Sequence, residues 1–272
     1  MNASTATETR GRAPAGHTTD WREDFRARWA AEARAVAEER PGVPGPFWAL
    51  AATDWGQAAA LAAALGARHV GVWGDLPASS AGNTQEISAL AVYAGFERAG
   101  QYLFVHTIVP LTQPELPSQA RIYPGIARLE RHAQDLLGLR FVDHPDGRRW
   151  TRHNAWPAER FPLRPEFPRG GEPSGRARAD ADYPFAPILG AGVYEIPVGP
   201  IHAGIIEPGH FRFQAAGEEV LRLEERLGYV HRGVENWPSG ARRTDWRGWR
   251  RESVATPPSP TLGPLVRRSS VP

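Results

Sequence analysis

Cysteine and lysine are both absent from this chain, and methionine occurs once, at the first position. Without thiols the chain can form no disulfide, present no thiolate nucleophile and bind no metal through cysteine sulfur. No apolar run is long enough to span a membrane. The first residues also lack the apolar segment of a secretory signal. Together these absences predict a soluble, cytoplasmic protein.

The charge balance gives little indication of a partner. The formal net charge is +2, and every one of the 32 basic residues is arginine. A net charge this small does not by itself indicate a nucleic-acid partner. A length of 272 residues fits one large domain or two smaller ones.

Two helices are predicted near the start of the chain. Asp20 can cap a helix over 21–39, in which three aromatic residues recur at helical spacing and indicate a buried face. Asp54 can cap a second helix over 55–65, which Gly66 would end. The aromatic residues of the first helix are Trp21, Phe25 and Trp29.

Five strands are predicted, the longer ones from period-two patterning. His69–Trp73 is a short strand, and 86–96 and 101–109 are longer ones. In 101–109 both alternating sets are largely apolar, which predicts a central strand covered on both faces. Residues 211–215 and 220–224 alternate around the turn Ala216-Gly217, as in a β-hairpin. These patterns predict an α+β fold with a mostly antiparallel sheet.

A first motif lies within residues 130–167. It resembles the signature of the 30 kDa subunit of respiratory complex I, in which this block serves structure and contact between subunits. A helix carrying Glu130–Leu137 is predicted here, on which Arg131 and Asp135 stand four apart and can form a pair. The motif residues are Glu130, Arg131, Asp135, Gly138, His144, Pro145, Asp146, Arg148 and Arg149.

A second motif lies within residues 192–235. It resembles the opening of the large subunit shared by group 4 nickel–iron hydrogenases, formate hydrogenlyase and the 49 kDa subunit of complex I. The resemblance implies a proton-transfer role for Glu207 and a quinone-loop position for His202. The segment before His210 is longer than in the quinone-loop motif, so its second histidine does not align. The motif residues are Gly199, Pro200, His202, Glu207, His210, His231, Arg232 and Gly233.

The order of the two motifs indicates a fused chain. The predicted parts are a disordered segment (1–19), a 30 kDa-like domain (20–167), a linker (168–187), an N-terminal β-hairpin fragment of a large subunit (188–235) and a disordered tail (236–272). The tail is rich in arginine and proline, and when its codons are read in another frame they permit the family's own continuation. We therefore expect a frameshift near Glu235 and a truncated large subunit.

The resemblance implies a subunit of a membrane-associated, hydrogenase-like or NADH:quinone oxidoreductase-like complex. Expected partners are the other subunits of such an assembly, including an iron–sulfur small subunit, with peripheral attachment at the cytoplasmic face of the membrane. Intact family members carry a nickel–iron centre or lack it; for this chain we expect no metal, no cofactor and no catalysis in isolation. The alternatives are a non-enzymatic scaffold or, with less support, nucleic-acid binding by the arginine- and tryptophan-bearing tail.

Overall fold

The computed structural model describes residues 20–76, 88–152, 156–164, 166–168 and 183–231. Arg232, Gly233, most of the predicted linker, both predicted disordered segments and the proposed frameshift lie outside these residues. Within the described ranges, no helix has both the length and the apolar character needed to cross a bilayer. In chain order the elements are α1 (Trp21–Ala31), β1 (Glu38–Arg40), β2 (Phe47–Ala49), α2 (Trp55–Ala64), β3 (Arg68–Asp75), β4 (Ala89–Arg98), β5 (Gln101–Pro110), β6 (Glu115–Pro117), α3 (Ala127–Leu137), β7 (Arg140–Val142), β8 (Val193–Val198), β9 (His210–Ala216) and β10 (Glu219–Arg226).

Helix α1 begins where the sequence predicts it and ends early. The Asp20 carboxylate accepts the N–H of Arg22 at 3.0 Å, which satisfies a free donor of the first turn. The helix stops at Ala31, short of the predicted residue 39, because residues 38–40 form strand β1 against β2. The predicted aromatic face is buried, and it consists of Trp21, Phe25 and Trp29.

Helix α2 matches the predicted 55–65 closely but is not capped as predicted. The Asp54 side chain accepts no N–H of the first turn, and its carboxylate pairs with Arg34 instead. Gly66 follows the helix with φ of 73°, a left-handed conformation that favours glycine.

The main sheet has five strands in the order β1-β2-β5-β4-β3. Only the β2–β5 pair in this sheet is parallel, and the hairpin from β4 to β5 turns at Ala99-Gly100. The predicted α+β class with mostly antiparallel pairing is confirmed.

Strand β5 is covered on one face, and the prediction of two covered faces is wrong. The inward set packs in the core and consists of Leu103, Val105, Thr107 and Val109. On the opposite face Ile108 is 55% exposed, and Phe104 is shielded by stacking on Phe47 with ring centroids 4.8 Å apart. Aromatic stacking on an open sheet face produced the same apolar pattern that a buried strand would show.

The second sheet has three strands in the order β10-β9-β8. It confirms the predicted hairpin, with Gly217 at φ 61° in the turn and a β-bulge between Val220 and Arg222. Strand β8, which the sequence reasoning missed, adds antiparallel to β9 as an edge strand. Pro197 in β8 suits an edge because proline cannot donate to a further strand.

Candidate functional site

The 30 kDa-type signature surrounds a segment, residues 143–152, that contains no helix or strand. His144 fixes its start, because its Nδ1 accepts the N–H of Asp146 at 2.9 Å and its Nε2 lies 3.1 Å from the carbonyl oxygen of Ala127. These contacts require a neutral ring with the proton on Nε2, which donates to that carbonyl. Burial lowers the pKa of His144 and favours this neutral form.

Asp135 holds the end of the same segment. One oxygen of its buried carboxylate accepts the N–H groups of Trp150 at 2.7 Å, Thr151 at 2.6 Å and Arg152 at 3.0 Å. Three charge-assisted bonds to one oxygen give the segment a single conformation. The predicted Arg131–Asp135 pair is wrong. The Asp135 carboxylate instead accepts backbone N–H groups of residues that lie outside any helix or strand.

Arg131 lies on the same helix and holds the carbonyl side of the segment. Its Nε donates to the carbonyl of Arg148 at 2.7 Å, and its Nη2 donates to that of Arg149 at 3.1 Å. Its Nη1 pairs with Asp146 at 3.0 Å, and Nη2 also donates to the hydroxyl of Tyr183 at 3.0 Å. Arg131 therefore connects the signature to a residue of the second half of the chain.

Arg226, at the end of β10, completes this arrangement from the second half. Its side chain is 2% exposed, and its Nη1 donates to the carbonyls of Arg149 and Trp150 at 2.7 Å each. Its Nη2 donates to the carbonyl of Arg152 at 3.4 Å, and its guanidinium lies 4.2 Å from the ring centroid of Tyr183. We call the junction formed by α3, residues 146–152, Tyr183 and the end of β10 the seam. Sequence reasoning missed Arg226, because a single arginine ending a strand carries no distinctive pattern.

Two ion pairs and an open cleft border the seam. Arg148 pairs with Glu224 at 2.8 Å, and Arg128 pairs with Glu225 at 3.2 Å. A cleft of about 450 Å³ opens between α3 and β10 and is lined by these side chains together with Trp150. The charges that line this cleft are largely neutralised by one another, so the cleft is not a site for a free anion.

A buried carboxyl lies on the other side of α3. Glu130 is fully buried, and it accepts the hydroxyl of Ser118 at 2.5 Å and the N–H of Gln119 at 2.8 Å. Its carboxyl also lies 3.5 Å from Nε2 of His144. Burial raises the pKa of Glu130 to about 7, although the bonds from Ser118 and Gln119 oppose the shift.

Gly138 of the signature ends α3. Its φ is 70°, and a Cβ there would lie 2.7 Å from the ring of Phe161. Arg164 donates from Nε to the carbonyl of Leu137 at 2.7 Å and closes the same turn. Glycine is therefore required by backbone conformation and by the close approach of a ring. Pro145 lies within the segment that His144 and Asp135 hold.

The large-subunit motif lies mainly in the connection from β8 to β9. His202 Nε2 is 3.3 Å from the carbonyl oxygen of Glu207, and His210 Nδ1 is 3.0 Å from that of Gly199, which precedes Pro200. Glu207 is exposed. His231 stands apart from this connection, with its ring 5.7 Å from that of His132 on α3. Among the described residues, no group of three or more His, Asp or Glu is placed to hold a metal ion.

The two faces of the second sheet differ sharply. Residues 183–188 cross one face, where the Gln214 amide bonds to Ala186 and Ile188 and Arg212 lies over the Phe185 ring. The strand registers place an apolar set on the opposite face, which we call the outer face. Its exposed members are Tyr194 (46%), Ile196 (43%), Val198 (37%), Val220 (52%) and Leu223 (42%), and they surround the half-buried Phe211 and Phe213.

Comparison with known proteins agrees with the first motif and finds relatives among hydrogenase and NADH-quinone oxidoreductase subunits. Residues 57–173 match the family described as "Respiratory-chain NADH dehydrogenase, 30 Kd subunit". Hydrogenase-4 component G of Escherichia coli is 34% identical over 53% of this chain and 27% of its own length. Formate hydrogenlyase subunit 5 of the same organism is 35% identical over 49% of this chain and 24% of its own length.

A third relative joins two subunit names in one chain. This NADH-quinone oxidoreductase subunit of Phocaeicola vulgatus, designated C/D, is 30% identical over 45% of this chain and 26% of its own length. The matched part of the chain thus spans about a quarter of the length of these curated relatives. Residues 57–173 are therefore similar to the 30 kDa subunit of respiratory-chain NADH dehydrogenase, and the relatives found are hydrogenase, formate hydrogenlyase and NADH-quinone oxidoreductase subunits.

Proposed function

We propose that this protein is a docking subunit of a membrane-associated electron-transfer complex of the hydrogenase or NADH-quinone oxidoreductase type. All three relatives are named as a component or subunit of such an enzyme. In this proposal the protein is attached peripherally at the cytoplasmic side through partner subunits, one of them an iron–sulfur subunit. The second sheet (β8–β10), attached to the domain at 57–173, positions those partners, and neither part carries a redox step.

The outer face carries this proposal. Its apolar side chains on β8 and β10 are 37–52% exposed and flank the half-buried Phe211 and Phe213 of β9, while Gln214 and Glu224 on the opposite face are bonded within the chain. Monomeric proteins rarely leave a contiguous apolar surface of this kind uncovered unless it binds something. A flat apolar sheet face fits another folded protein better than a small ligand, which needs a concave site.

The chain is poorly suited to hold the metal centre of a hydrogenase. A nickel–iron centre needs soft thiolate ligands, and this sequence has no cysteine. The motif histidines point to backbone carbonyls or to another ring in the structure, not to a common centre. We therefore propose that redox cofactors are held by the partner subunits and that Glu207 and His202 carry no redox chemistry in this chain.

Native electrophoresis of membranes tests the proposal. A tagged copy in the native host should migrate in mild detergent with subunits that mass spectrometry identifies as hydrogenase- or NADH-quinone oxidoreductase-like. The double variant Ile196→Glu, Leu223→Glu places two charges on the outer face and should release the protein from that complex. The matched control Ile108→Glu changes an equally exposed residue of the first sheet and should leave it bound. Wild-type protein found free of any such complex would refute the proposal.

A further inference from the structure

The seam is formed by two parts of the chain, only one of which lies inside the family match. One side belongs to residues 57–173, which match the 30 kDa family, whereas Tyr183 and β10 lie beyond that match. Across it, one buried guanidinium meets three backbone carbonyls, and two ion pairs flank that contact. Interfaces between separate proteins have a similar arrangement, in which a buried central arginine contributes much of the binding energy and a polar rim surrounds it.

The receiving side is held mainly by bonds within the first domain, although Arg131 also donates to Tyr183 and Arg148 also pairs with Glu224. Asp135 accepts the three N–H groups of residues 150–152, and Arg131 donates to the carbonyls of residues 148 and 149. These bonds lie within the first domain, and they orient the carbonyls of Arg149, Trp150 and Arg152 toward one point. A preformed acceptor site of this kind lowers the cost of ordering the partner.

We infer that α3 and residues 146–152 form a self-sufficient receptor for an arginine-bearing β-strand, with Arg226 as its anchor. The receptor holds residues 183–231 whether or not the two halves are covalently joined. The same groove would accept this strand from a second polypeptide when the two units are encoded separately. These contacts lie within this chain and do not depend on which complex the protein belongs to.

Cutting the chain between the halves tests the inference. A tobacco etch virus protease sequence placed between Ser174 and Gly175 lets the full-length protein fold before it is cleaved. After cleavage the halves should elute together in size-exclusion chromatography with mass detection. Separation of the wild-type halves at micromolar concentration would overturn the inference.

Variants of β10 locate the anchor. Arg226→Ala should weaken the association of the cleaved halves about a hundredfold, because it leaves three buried carbonyls without a charged donor. Arg226→Lys should also weaken it, since one ammonium cannot reach all three carbonyls. The matched control Arg222→Ala removes an exposed arginine of the same strand, whose contacts with Ala186 and Glu224 lie within the second half, and should weaken the association by no more than about twofold.

A rescue experiment separates loss of the anchor from loss of the fold. Cleaved Arg226→Ala protein is mixed with an excess of the wild-type second half carrying a different tag. The first half should capture the wild-type second half, because its receptor is intact. Failure of this rescue, or equal association of the Ala and wild-type halves, would overturn the assignment of Arg226 as the anchor of a preformed receptor.

Discussion

Arginine side chains organise the backbone of this protein where regular structure is absent. Arg131 donates to two carbonyls, and Arg226 donates to three. Arg152 does the same for the carbonyls of residues 157, 158 and 160. A planar guanidinium presents five donors in a fixed fork, whereas an ammonium is a single charged point. The absence of lysine, which had no evident cause in the sequence, therefore suits these sites.

We predict that Arg152→Lys destabilises the protein by about 1 kcal/mol, because an ammonium on a shorter side chain cannot keep both the bonds from Nη1 to the carbonyls of residues 157, 158 and 160 and the guanidinium contact with the Phe161 ring. Burial lowers the pKa of Arg152 to about 10, so a lysine in its place would also hold its proton less firmly. Urea unfolding at neutral pH measures the change. Arg40→Lys, in an exposed pair with Glu38, is the control and should change stability by less than about 0.5 kcal/mol.

A second residue-scale prediction concerns the signature glycine. Gly138→Ala should cost about 2–3 kcal/mol, from the left-handed backbone and from the overlap of the new Cβ with Phe161. Gly66→Ala is the matched control, because Gly66 has a similar φ of 73° with nothing within 4 Å of its Cβ position. Its cost should be about 1 kcal/mol from backbone strain alone. Thermal unfolding measures the loss of stability in both variants. Equal losses would show that the Phe161 ring moves aside to accommodate the new Cβ.

At the scale of elements, α3 packs through the buried carboxyl group of Glu130, whose pKa burial raises. The folded state raises the pKa of Glu130 from 4.5 to about 7, so it binds more protons than the unfolded chain between these values. The stability that this group contributes is full below about pH 4.5 and is lost as the pH rises toward 7. His144, whose pKa burial lowers, acts in the opposite sense, since folding disfavours its charged form below pH 6.5.

Glu130→Gln isolates the carboxyl. Glutamine can still accept the N–H of Gln119 but does not titrate, so the variant should lose less stability than the wild type between pH 5 and pH 8. We expect the difference to reach a few kcal/mol, as one pKa unit corresponds to about 1.4 kcal/mol. Urea unfolding at several pH values measures it. Glu115→Gln, in an exposed pair with Arg140, is the control and should keep the wild-type dependence of unfolding free energy on pH. If Glu130→Gln shows that same dependence, Glu130 is already ionised in the folded state.

The elements that the sequence predicted well are those whose apolar residues repeat with a clear period. Helices α2 and α3, strands β3 to β5 and the β9–β10 hairpin fall within a few residues of their predicted bounds. The residues of the seam were recognised as a motif, but their partners were not. Asp135 and Arg131 bond to backbone groups distant in sequence, and backbone contacts leave no side-chain pattern to read.

At the scale of the whole molecule, the charged contacts face inward and an apolar sheet faces outward. The seam joins the two halves through Arg226 and two ion pairs, so the second sheet is attached to the first domain and not left without contacts. Of the hairpin's apolar side chains, Val220, Leu221 and Leu223 are exposed, whereas Phe211 and Phe213 are half-buried. This arrangement suits a subunit that presents one prepared surface to a larger assembly.

A chain-wide prediction follows from the lack of thiolates. Purified protein should contain nickel and iron far below one atom per chain, because histidine and carboxylate alone give neither the softness nor the spacing that such centres need. Elemental analysis after removal of any affinity tag measures this. About one tightly held metal atom per chain would show that a ligand set exists that neither the sequence nor the described residues reveal.

The last prediction concerns what the outer face does when no partner is present. Two copies can bury this surface by packing face to face, because an apolar sheet face is complementary to itself and its one charged side chain opposite Phe211, Glu225, is already paired with Arg128. We therefore expect purified protein to self-associate as its concentration rises, with sedimentation velocity as the measurement. Ile196→Glu should shift the protein toward monomer at a cost to stability of no more than about 1 kcal/mol, since this side chain is already 43% exposed. Ile108→Glu, on the open face of the first sheet, should leave self-association unchanged. If that control also produces monomer, the aromatic face of the first sheet takes part in the contact, and the second sheet is not its sole origin.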